Sequence, residues 1–303
     1  MKINLCGLVS RQYVWENMKI YLASPNTGTI KGYLDNVKIY VAGEFPCGAT
    51  GKGEQAMKLY LSESGGAHKA YTEPAGLLKK KVCILESFYY AKEWMIPYIR
   101  DYWDFMLDSG AFTFMQNATI EINWDKYTEQ YAAFIKANNV SYYFELDIDS
   151  IVGYKEVKRL RRKLESLTGT ECIPVWHKSR GKADWLKTVK DYTYVAIGGI
   201  VNKEIKGNQY PIFTWLLKEA RKEKCKVHGL GFTSMAGMKK YHFYSVDSTA
   251  WIYGNRGGFL YKFTGNNIIK IDKPAGTRMK PRKTAIHNFN EWVKFQKYAE
   301  RCL

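Results

Sequence analysis

The stretch YVAIGGIVNKEIKGNQYPIFTWLLKEARKEKCKVHGLG, residues 194–231, decides the fold class. Its two ends, residues 194–199 and 226–231, are short apolar runs that finish on glycine, as buried strands commonly do. The segment between them repeats apolar residues at helical spacing, so the stretch predicts a strand, a helix and a second strand parallel to the first. The apolar face of that helix consists of Phe213, Leu216, Leu217 and Ala220.

The same alternation extends along the chain on both sides of this stretch. Apolar residues recur at helical spacing around residues 124–135 and 157–167. Several strand-like runs have the pattern of strands buried on both faces, and their number approaches eight. We therefore expect an α/β fold, a (β/α)8 TIM-type barrel in preference to an open doubly wound sheet. The further runs cover residues 82–88, 104–107, 142–148, 172–176 and 243–247, with 259–263 as a weaker eighth.

Three regions follow from these patterns. Residues 1–80 are predicted to form a β-rich N-terminal extension, and residues 81–270 the catalytic barrel. Residues 271–303 are predicted to form a basic segment, KPAGTRMKPRK, followed by a C-terminal helix with Asn288 or Asn290 as its N-cap. The glycine-rich GATGKGEQ in the first region is not a Walker phosphate loop, because the leading glycine and the final Ser or Thr of that pattern are missing.

Charge and cysteine usage restrict the class of protein. The 303-residue chain has 46 Lys and Arg against 29 Asp and Glu, a formal net charge of +17, which favours a polyanionic partner such as nucleic acid. Its six cysteines are far apart and show no CxxC spacing, so neither a zinc knuckle nor a disulfide framework is expected. No apolar run approaches the ~20 residues of a membrane span, and the first residues do not resemble a signal peptide. We expect a cytoplasmic protein without a membrane partner.

Carboxylates and glycines stand where the predicted strands end. In a (β/α)8 barrel the catalytic groups lie at this end of the strands. One aspartate there is commonly a cap or turn residue, but three strands that end on aspartate indicate a shared pocket. Two carboxylates across a pocket suit substitution at the anomeric carbon of a sugar, where one attacks and the other manages the proton of the leaving group. The strand ends and the turn after the second predicted strand carry Asp108, Ser109, Gly110, Asp147, Asp149, His177, Gly198, Gly199, Gly229, Gly231 and Asp247.

Four motifs among these strand ends resemble the tRNA-guanine transglycosylases, and they occur in the order of that family. LDSGAF is similar to the family's LDSGGFQ, and VAIGGIVNKE resembles its AIGGLAVGE. HGLGFTS stands where the family has a Leu-x-Gly-Val-Gly strand end, and YSVDSTAWIYGNRGG is similar to FDCVLPTRNAR. The resemblance implies a (β/α)8 barrel that exchanges guanine in a nucleic acid for a 7-deazaguanine base by double displacement.

The resemblance also implies roles for single residues. Asp247 matches the nucleophile that forms a covalent glycosyl-enzyme, and Asp108 matches the carboxylate that binds the base and relays its proton. Asp147 matches the acidic base-recognition position, although Asp149 is close enough in sequence to fill it instead. His177 stands roughly where the family has a base-contacting Gln. The remaining substrate-binding positions carried over are Ser109, Gly110, Gly198, Gly199 and Gly229.

Departures from the family pattern bear on the nucleic acid. After Asp247 the chain has only Cys302, so the family's zinc ligands, CxCxxC followed by His, are missing. A shortened, zinc-free version is most similar to the phage-type 7-deazaguanine DNA transglycosylases (the DpdA family). This similarity implies a phage-encoded enzyme that acts on DNA and a free 7-deazaguanine base in the bacterial host cytoplasm, without a cofactor or metal. Predicted nucleic-acid contacts are Arg256, Lys280, Arg282 and Lys283.

Alternatives remain open at this stage. One is the same exchange on tRNA, and another is a catalytically silent nucleic-acid-binding barrel. A metal-dependent barrel enzyme with His177 and His228 as ligands is disfavoured because the sequence has no HxH or HExxH spacing. A nucleotide must leave its stack before its anomeric carbon can be attacked, so aromatic residues near the site are candidates for stacking on it. These are Tyr142, Tyr143, Trp251 and Tyr253.

Overall fold

A computed structural model describes residues 19–24, 82–91, 93, 96–101, 103–110, 122–232, 234–248, 250–251, 258–273, 276 and 281–303. The side chains of residues 19–24, 82, 98, 101, 103, 281–283 and 285–286 lie outside this description. The described part is an α/β structure built on a parallel sheet.

Eight strands form this sheet, in the order β4-β3-β2-β1-β8-β7-β6-β5, and every neighbouring pair is parallel. Parallel pairing brings the carboxyl ends of all eight strands to one edge, which is where the candidate site lies. The strands are β1 Lys19–Ser24, β2 Val82–Ser87, β3 Trp103–Asp108, β4 Tyr142–Tyr143, β5 Val175–Trp176, β6 Tyr194–Ile197, β7 Lys226–Gly229 and β8 Ser245–Ser248.

A further parallel bridge joins the residues that flank β4 and β5. Phe144 pairs with Ile173. The N–H of Glu145 donates to the carbonyl oxygen of Ile173 at 3.0 Å, and the N–H of Ile173 donates to that of Tyr143 at 2.8 Å. The chain segments at the two ends of the strand order are therefore hydrogen-bonded to each other.

Helices connect consecutive strands and bury the apolar faces that the sequence predicts. In α2, Tyr131 and Ile135 are buried, and the side chain of Asn123 caps the helix by accepting from the N–H of Lys126 at 2.9 Å. The face predicted in α6 is buried throughout, whereas Leu167, in the last turn of α4, is exposed. The helices are α1 Ile96–Asp101, α2 Trp124–Asn138, α3 Asp149–Val152, α4 Tyr154–Thr168, α5 Gly181–Asp191, α6 Ile212–Lys222, α7 Met235–Tyr241 and α8 Pro281–Cys302.

Two apolar clusters stabilise this arrangement. The larger one includes the buried sides of α2, α4, α5, α6 and α8 and the sheet residues that face them, such as Leu107 and Ile197. The smaller one consists of residues that alternate with these along five strands and their extensions, so it lies on the other face of the sheet. Its members are Cys83, Leu85, Met106, Phe144, Ile173, Val175, Tyr194 and Ala196.

The structure corrects the predicted boundaries at both ends of the barrel region. Lys19–Ser24, which we assigned to the N-terminal extension, lies inside the sheet between β2 and β8. The weak eighth strand, β9 Phe259–Phe263, pairs instead with β10 Ile268–Asp272 in a separate antiparallel sheet. The other residues of the predicted extension, 1–18 and 25–80, lie outside the described residues.

The C-terminal helix begins earlier than predicted. It starts at Pro281, so Asn288 and Asn290 lie within it and neither is its N-cap. Asn288 is buried, and its side-chain oxygen accepts from the N–H of Tyr261 on β9 at 2.7 Å, which satisfies this polar group in the interior. Gln296 bonds both backbone groups of Cys83 on β2, and this contact fixes the helix against the sheet. Among the described helices, none is long and apolar enough to cross a membrane.

Candidate active site

Three aspartates from three separate strand ends approach one another at the carboxyl edge of the sheet. Asp108 is the last residue of β3, Asp147 follows β4 after three intervening residues, and Asp247 lies in β8. The charges of Asp147 and Asp247 both raise the pKa of Asp108, which means that all three carboxylates lie within electrostatic range. Asp147 and Asp247 are therefore close enough to Asp108 to influence its charge, while a pocket shared by the three stays a prediction.

Asp108 occupies the least compensated position of the three. Burial, more than any other cause, raises its pKa from 3.8 to about 6. The repulsion from Asp147 and Asp247 adds to this, while the N–H of Gly110, which donates to Oδ2 at 2.9 Å, opposes it. A carboxyl group with such a pKa exchanges its proton near neutral pH, as a general acid or base must.

The turn after Asp108 requires glycine. Gly110 has φ +83°, and a Cβ there would lie 2.8 Å from the Cβ of Tyr89 and 2.9 Å from the Oγ of Ser87. The hydroxyl of Tyr127 donates to the carbonyl oxygen of Ser109 at 2.6 Å and holds the turn in place. The Oγ of Ser109 is buried and bonds no described residue. The predicted reason for the Ser-Gly pair, a tight backbone turn beside Asp108, is thus confirmed, while ligand binding by the pair stays a prediction.

His177 lies between two carboxylates, and this clamp fixes Asp147. Its Nε2 is 2.7 Å from Oδ1 of Asp147, and its Nδ1 is 2.9 Å from Oε2 of Glu204. Burial disfavours the imidazolium, but the bonds to Asp147 and Glu204 outweigh it and raise the pKa of His177 to about 9. The N–H of Ser179 donates to the other oxygen of Glu204 at 2.7 Å. At neutral pH His177 is therefore a cation whose ring nitrogens both donate.

Asp149 does not share this position. Its Oδ2 pairs with Nη2 of Arg180 at 2.9 Å, and the same guanidinium lies 3.7 Å from the buried Glu145. Glu145 also pairs with Arg161 at 2.6 Å. This network pairs Asp149 with a structural cation, whereas Asp147 contacts His177, and which of the two reads a base stays a prediction.

A metal ion would have to compete with these contacts. Ligand atoms of Asp147, Asp149 and His177 lie within 4.8 Å of one another. However, both ring nitrogens of His177 are already hydrogen-bonded, to Asp147 and Glu204, and Oδ2 of Asp149 is bonded to Arg180. Protonation of both ring nitrogens also opposes metal binding, because a metal takes the neutral imidazole.

Gly198 and Gly199 make room for the clamp. A Cβ on Gly198 would lie 2.8 Å from Cε1 of His177, and one on Gly199 would lie 2.7 Å from Oε2 of Glu204. Gly199 also has φ +79°. We predicted these glycines as substrate-binding positions; the structure gives a separate reason for glycine there, and the substrate contact stays a prediction.

Asp247 receives two hydrogen bonds at a single oxygen. Oδ1 accepts from the N–H of Gly231 at 2.5 Å and lies 3.3 Å from Nε2 of His228. Within the described chain Oδ2 has no hydrogen-bond partner, and 9% of the side chain is exposed. Gly231 has φ +66°, and a Cβ there would overlap Val201. Gly229 packs against Phe232 and Phe243 instead, so its predicted substrate contact remains untested.

The remaining predictions concern the aromatic stacking candidates, most of which the structure describes, and the nucleic-acid contacts, whose side chains it does not describe. Trp251 packs in the core at 5.1 Å from the ring of Phe289, and Tyr143 is fully buried, so neither offers a face to a base. Tyr142 is half-buried and packs edge-on against Tyr194 at 5.7 Å. Arg256, Lys280 and Tyr253 lie outside the described residues, as do the side chains of Arg282 and Lys283.

Sequence reasoning missed Glu204 and considered His228 only as a metal ligand. Glu204 is the last residue of the VAIGGIVNKE motif, and its place in that motif was the signal that could have identified it.

A search against models of known protein families and a search of curated proteins both find no match to the chain. The family resemblance therefore rests on the four motifs.

Proposed function

We propose that the protein is a pentosyltransferase that exchanges guanine in DNA for a 7-deazaguanine base through a covalent glycosyl-aspartate. The observation that carries the proposal is the convergence of Asp108, Asp147 and Asp247 from three strand ends, each in a different electrostatic environment. Pairs of titratable groups held at different pKa values are the signature of acid–base division of labour.

We further propose that the parallel sheet is closed as a (β/α)8 barrel. The bridge between Phe144 and Ile173 supports closure, since it pairs segments at opposite ends of the strand order. The smaller apolar cluster supports it as well, because inward-facing residues of a closed barrel pack against one another across its axis. Under this architecture all three aspartates project over the same barrel mouth.

The first displacement uses the free oxygen of Asp247. Oδ2 attacks the anomeric carbon, the bond from that carbon to the ring nitrogen of guanine breaks, and the electron pair leaves with the base. The N–H groups at Oδ1 hold the carboxylate so that only Oδ2 faces the sugar. In the second displacement the ring nitrogen of the incoming base attacks the same carbon and Asp247 is released.

Asp108 supplies and recovers the proton. With a pKa of about 6 it is partly protonated near neutral pH, so it can protonate the departing guanine. The resulting carboxylate then accepts the proton from the incoming 7-deazaguanine as its ring nitrogen becomes nucleophilic. No net proton is consumed, as an exchange of one base for another requires.

Asp147 is suited to read the base edge. Guanine and 7-deazaguanine both present N–H donors on one edge, and a carboxylate accepts such a pair. His177 holds Oδ1, so Oδ2 of Asp147 is left to accept from the base, and Glu204 holds His177 from the other side. A base with a carbonyl at that edge would place one hydrogen-bond acceptor against another.

DNA is favoured over tRNA because of the missing zinc ligands, and the net charge of +17 suits either polyanion. A duplex nucleotide must be extruded first, at a cost of about a few kcal/mol. Among the described aromatic candidates neither Trp251 nor Tyr143 can repay that cost by stacking. Single-stranded DNA, which avoids the cost, is therefore the substrate to test beside duplex.

The deciding experiment measures incorporation of labelled 7-cyano-7-deazaguanine into duplex DNA, single-stranded DNA and unmodified tRNA. Asp247→Ala is the active-site variant, and Asp272→Ala, on the exposed β10, is the matched control. We expect incorporation into DNA by the wild type and Asp272→Ala but not by Asp247→Ala. Incorporation into tRNA alone would reassign the substrate, and turnover by Asp247→Ala would remove that residue from the nucleophile role. Tight DNA binding without incorporation would favour the silent barrel.

A further inference from the structure

A chain of buried polar side chains leads away from Asp247 along the face of the sheet that carries the smaller apolar cluster. Nε2 of His228 lies 3.3 Å from Oδ1 of Asp247, and Nδ1 of His228 lies 2.6 Å from Oγ of Ser245. The hydroxyl of Tyr194 in turn bonds Oγ of Ser245. His228 and Ser245 are fully buried, and Tyr194 is 6% exposed.

The charge on Asp247 sets the direction of every bond in this chain. An ionised carboxylate only accepts, so Nε2 of His228 carries a proton. With its proton on Nε2, the ring accepts at Nδ1 from the hydroxyl of Ser245, whose oxygen is left to accept from Tyr194. Burial raises the pKa of Tyr194 well above its usual value, which keeps that hydroxyl a donor. Each group donates once, and the last donation ends on Asp247.

We propose that His228, supported by Ser245 and Tyr194, is a positioning residue that presents Asp247 to the sugar. This inference rests on the proposed function. His228 complements the N–H of Gly231 at Oδ1, so that the carboxylate keeps one orientation and Oδ2 remains the attacking atom. The contact at Oδ1 orients the carboxylate and leaves Oδ2 to attack.

The same donors act in the second displacement. When the bond between the anomeric carbon and Oδ2 breaks, Asp247 regains its charge, and N–H groups already aimed at Oδ1 stabilise it. Loss of His228 should therefore slow release of the glycosyl group as well as its formation.

Packing alone does not account for the chain. It lies beside Phe144, whose ring centroid is 5.3 Å from that of His228, and beside other apolar members of the smaller cluster. Buried polar groups cost free energy in such surroundings unless every one is satisfied, whereas apolar residues of the same size would fill the space. A chain that satisfies all its members and ends on the proposed nucleophile points to a role there.

The test compares four variants of the full-length protein. His228→Phe removes the donor to Asp247, and His228→Gln keeps an N–H donor. Ser245→Ala removes the hydroxyl that bonds Nδ1 of His228 and so favours the tautomer with its proton on Nε2. His242→Phe is the matched control, since His242 is exposed and lies at the C-cap of α7. The readouts are the single-turnover rate of denaturant-stable adduct formation on DNA, the Kd for DNA, and the tautomer of each histidine from 15N NMR.

We expect His228→Phe to lower the adduct rate by roughly 10²-fold with an unchanged Kd, and His228→Gln to recover roughly a tenth or more of the wild-type rate. The control should match the wild type in both. Equal rates for His228→Phe and wild type, in a wild type that is active, would overturn the inference and leave the proposed function intact. A wild type that forms no adduct on DNA would refute the proposed function itself. The NMR readout needs no substrate, so an Nε2-protonated ring at His228 supports the donor chain in either case and an Nδ1-protonated ring refutes it.

Discussion

Replacement of Asp108 by Asn should stabilise the protein at neutral pH while it abolishes base exchange. The ionised carboxylate is unfavourable where it lies, since burial and two neighbouring carboxylates raise its pKa from 3.8 to about 6. Asn keeps the acceptor that the N–H of Gly110 uses, so the turn should survive the change. What the variant loses is the charge and the exchangeable proton.

The magnitude follows from the shift in pKa. One pKa unit corresponds to about 1.4 kcal/mol, so a rise from 3.8 to about 6 costs the native state up to about 3 kcal/mol once Asp108 is ionised. Because the folded pKa is raised, the native state keeps its proton at pH values where the unfolded chain has lost it. The wild type therefore loses this stability as pH rises from about 4 to 6, and Asp108→Asn does not.

Urea unfolding at pH 7.5 and at pH 4 measures the difference directly. We expect Asp108→Asn to exceed the wild type by about 2–3 kcal/mol at pH 7.5, and the two to be nearly equal at pH 4. Asp125→Asn is the matched control with the opposite sign, because Arg159 and Lys163 lower the pKa of Asp125 to about 2 and its charge is favourable. A difference for Asp108→Asn that is the same at both pH values, or a loss of stability at pH 7.5, would refute the reasoning.

Three further predictions concern the clamp, the turn and the basic segment. His177→Gln should destabilise the protein by up to about 3 kcal/mol below pH 6.5, because the raised pKa of His177 stabilises the native state while the ring is protonated. The loss should shrink as pH rises through about 9. Urea unfolding at pH 6 and 9.5 tests this, and a difference that is the same at both pH values would contradict it. Gly110→Ala should cost about 2–4 kcal/mol, since φ +83° and two close contacts oppose a Cβ; a melting temperature equal to that of the wild type would show that the turn adapts. Replacement of Lys280, Arg282 and Lys283 by Ala should reduce the salt slope of DNA binding by up to about 2.7, and an unchanged slope would mean that the segment is only a linker.

The strands that positioned the site were predictable because they are locally encoded. Seven predicted runs overlap strands of the sheet, and Asp147 and Asp247 both lie within electrostatic range of Asp108 at its edge. The inclusion of Lys19–Ser24 was not predictable in this way, since its place between β2 and β8 depends on pairing with residues about 60 and 226 positions away in sequence. The pairing of β9 with β10 outside the main sheet was not predictable for the same reason, because a short apolar run does not reveal its partner strand.

Side-chain partnerships were beyond the sequence for a related physical reason. Asn288 has the residue type of an N-cap, but its amide is used by Tyr261 of β9. Glu204 contacts His177 across 27 residues, and only the fold brings them together. The ion pair between Asp149 and Arg180 likewise joins residues 31 positions apart, and the choice between Asp147 and Asp149 as the base-recognition residue stays a prediction.

The partners of the three aspartates match the three tasks of the proposed reaction. A nucleophile must present one oxygen to the substrate, and the backbone N–H of Gly231 holds Oδ1 of Asp247 while Oδ2 has no hydrogen-bond partner among the described residues. A residue that reads the base must keep one orientation, and the imidazolium of His177 gives Asp147 a charge-assisted hydrogen bond of 2.7 Å. A proton carrier must be able to be neutral, and among the described residues no cation pairs with Asp108, whose pKa rises accordingly. A change in one of these environments, for example by introduction of a Lys beside Asp108, should therefore abolish base exchange even with all three carboxylates in place.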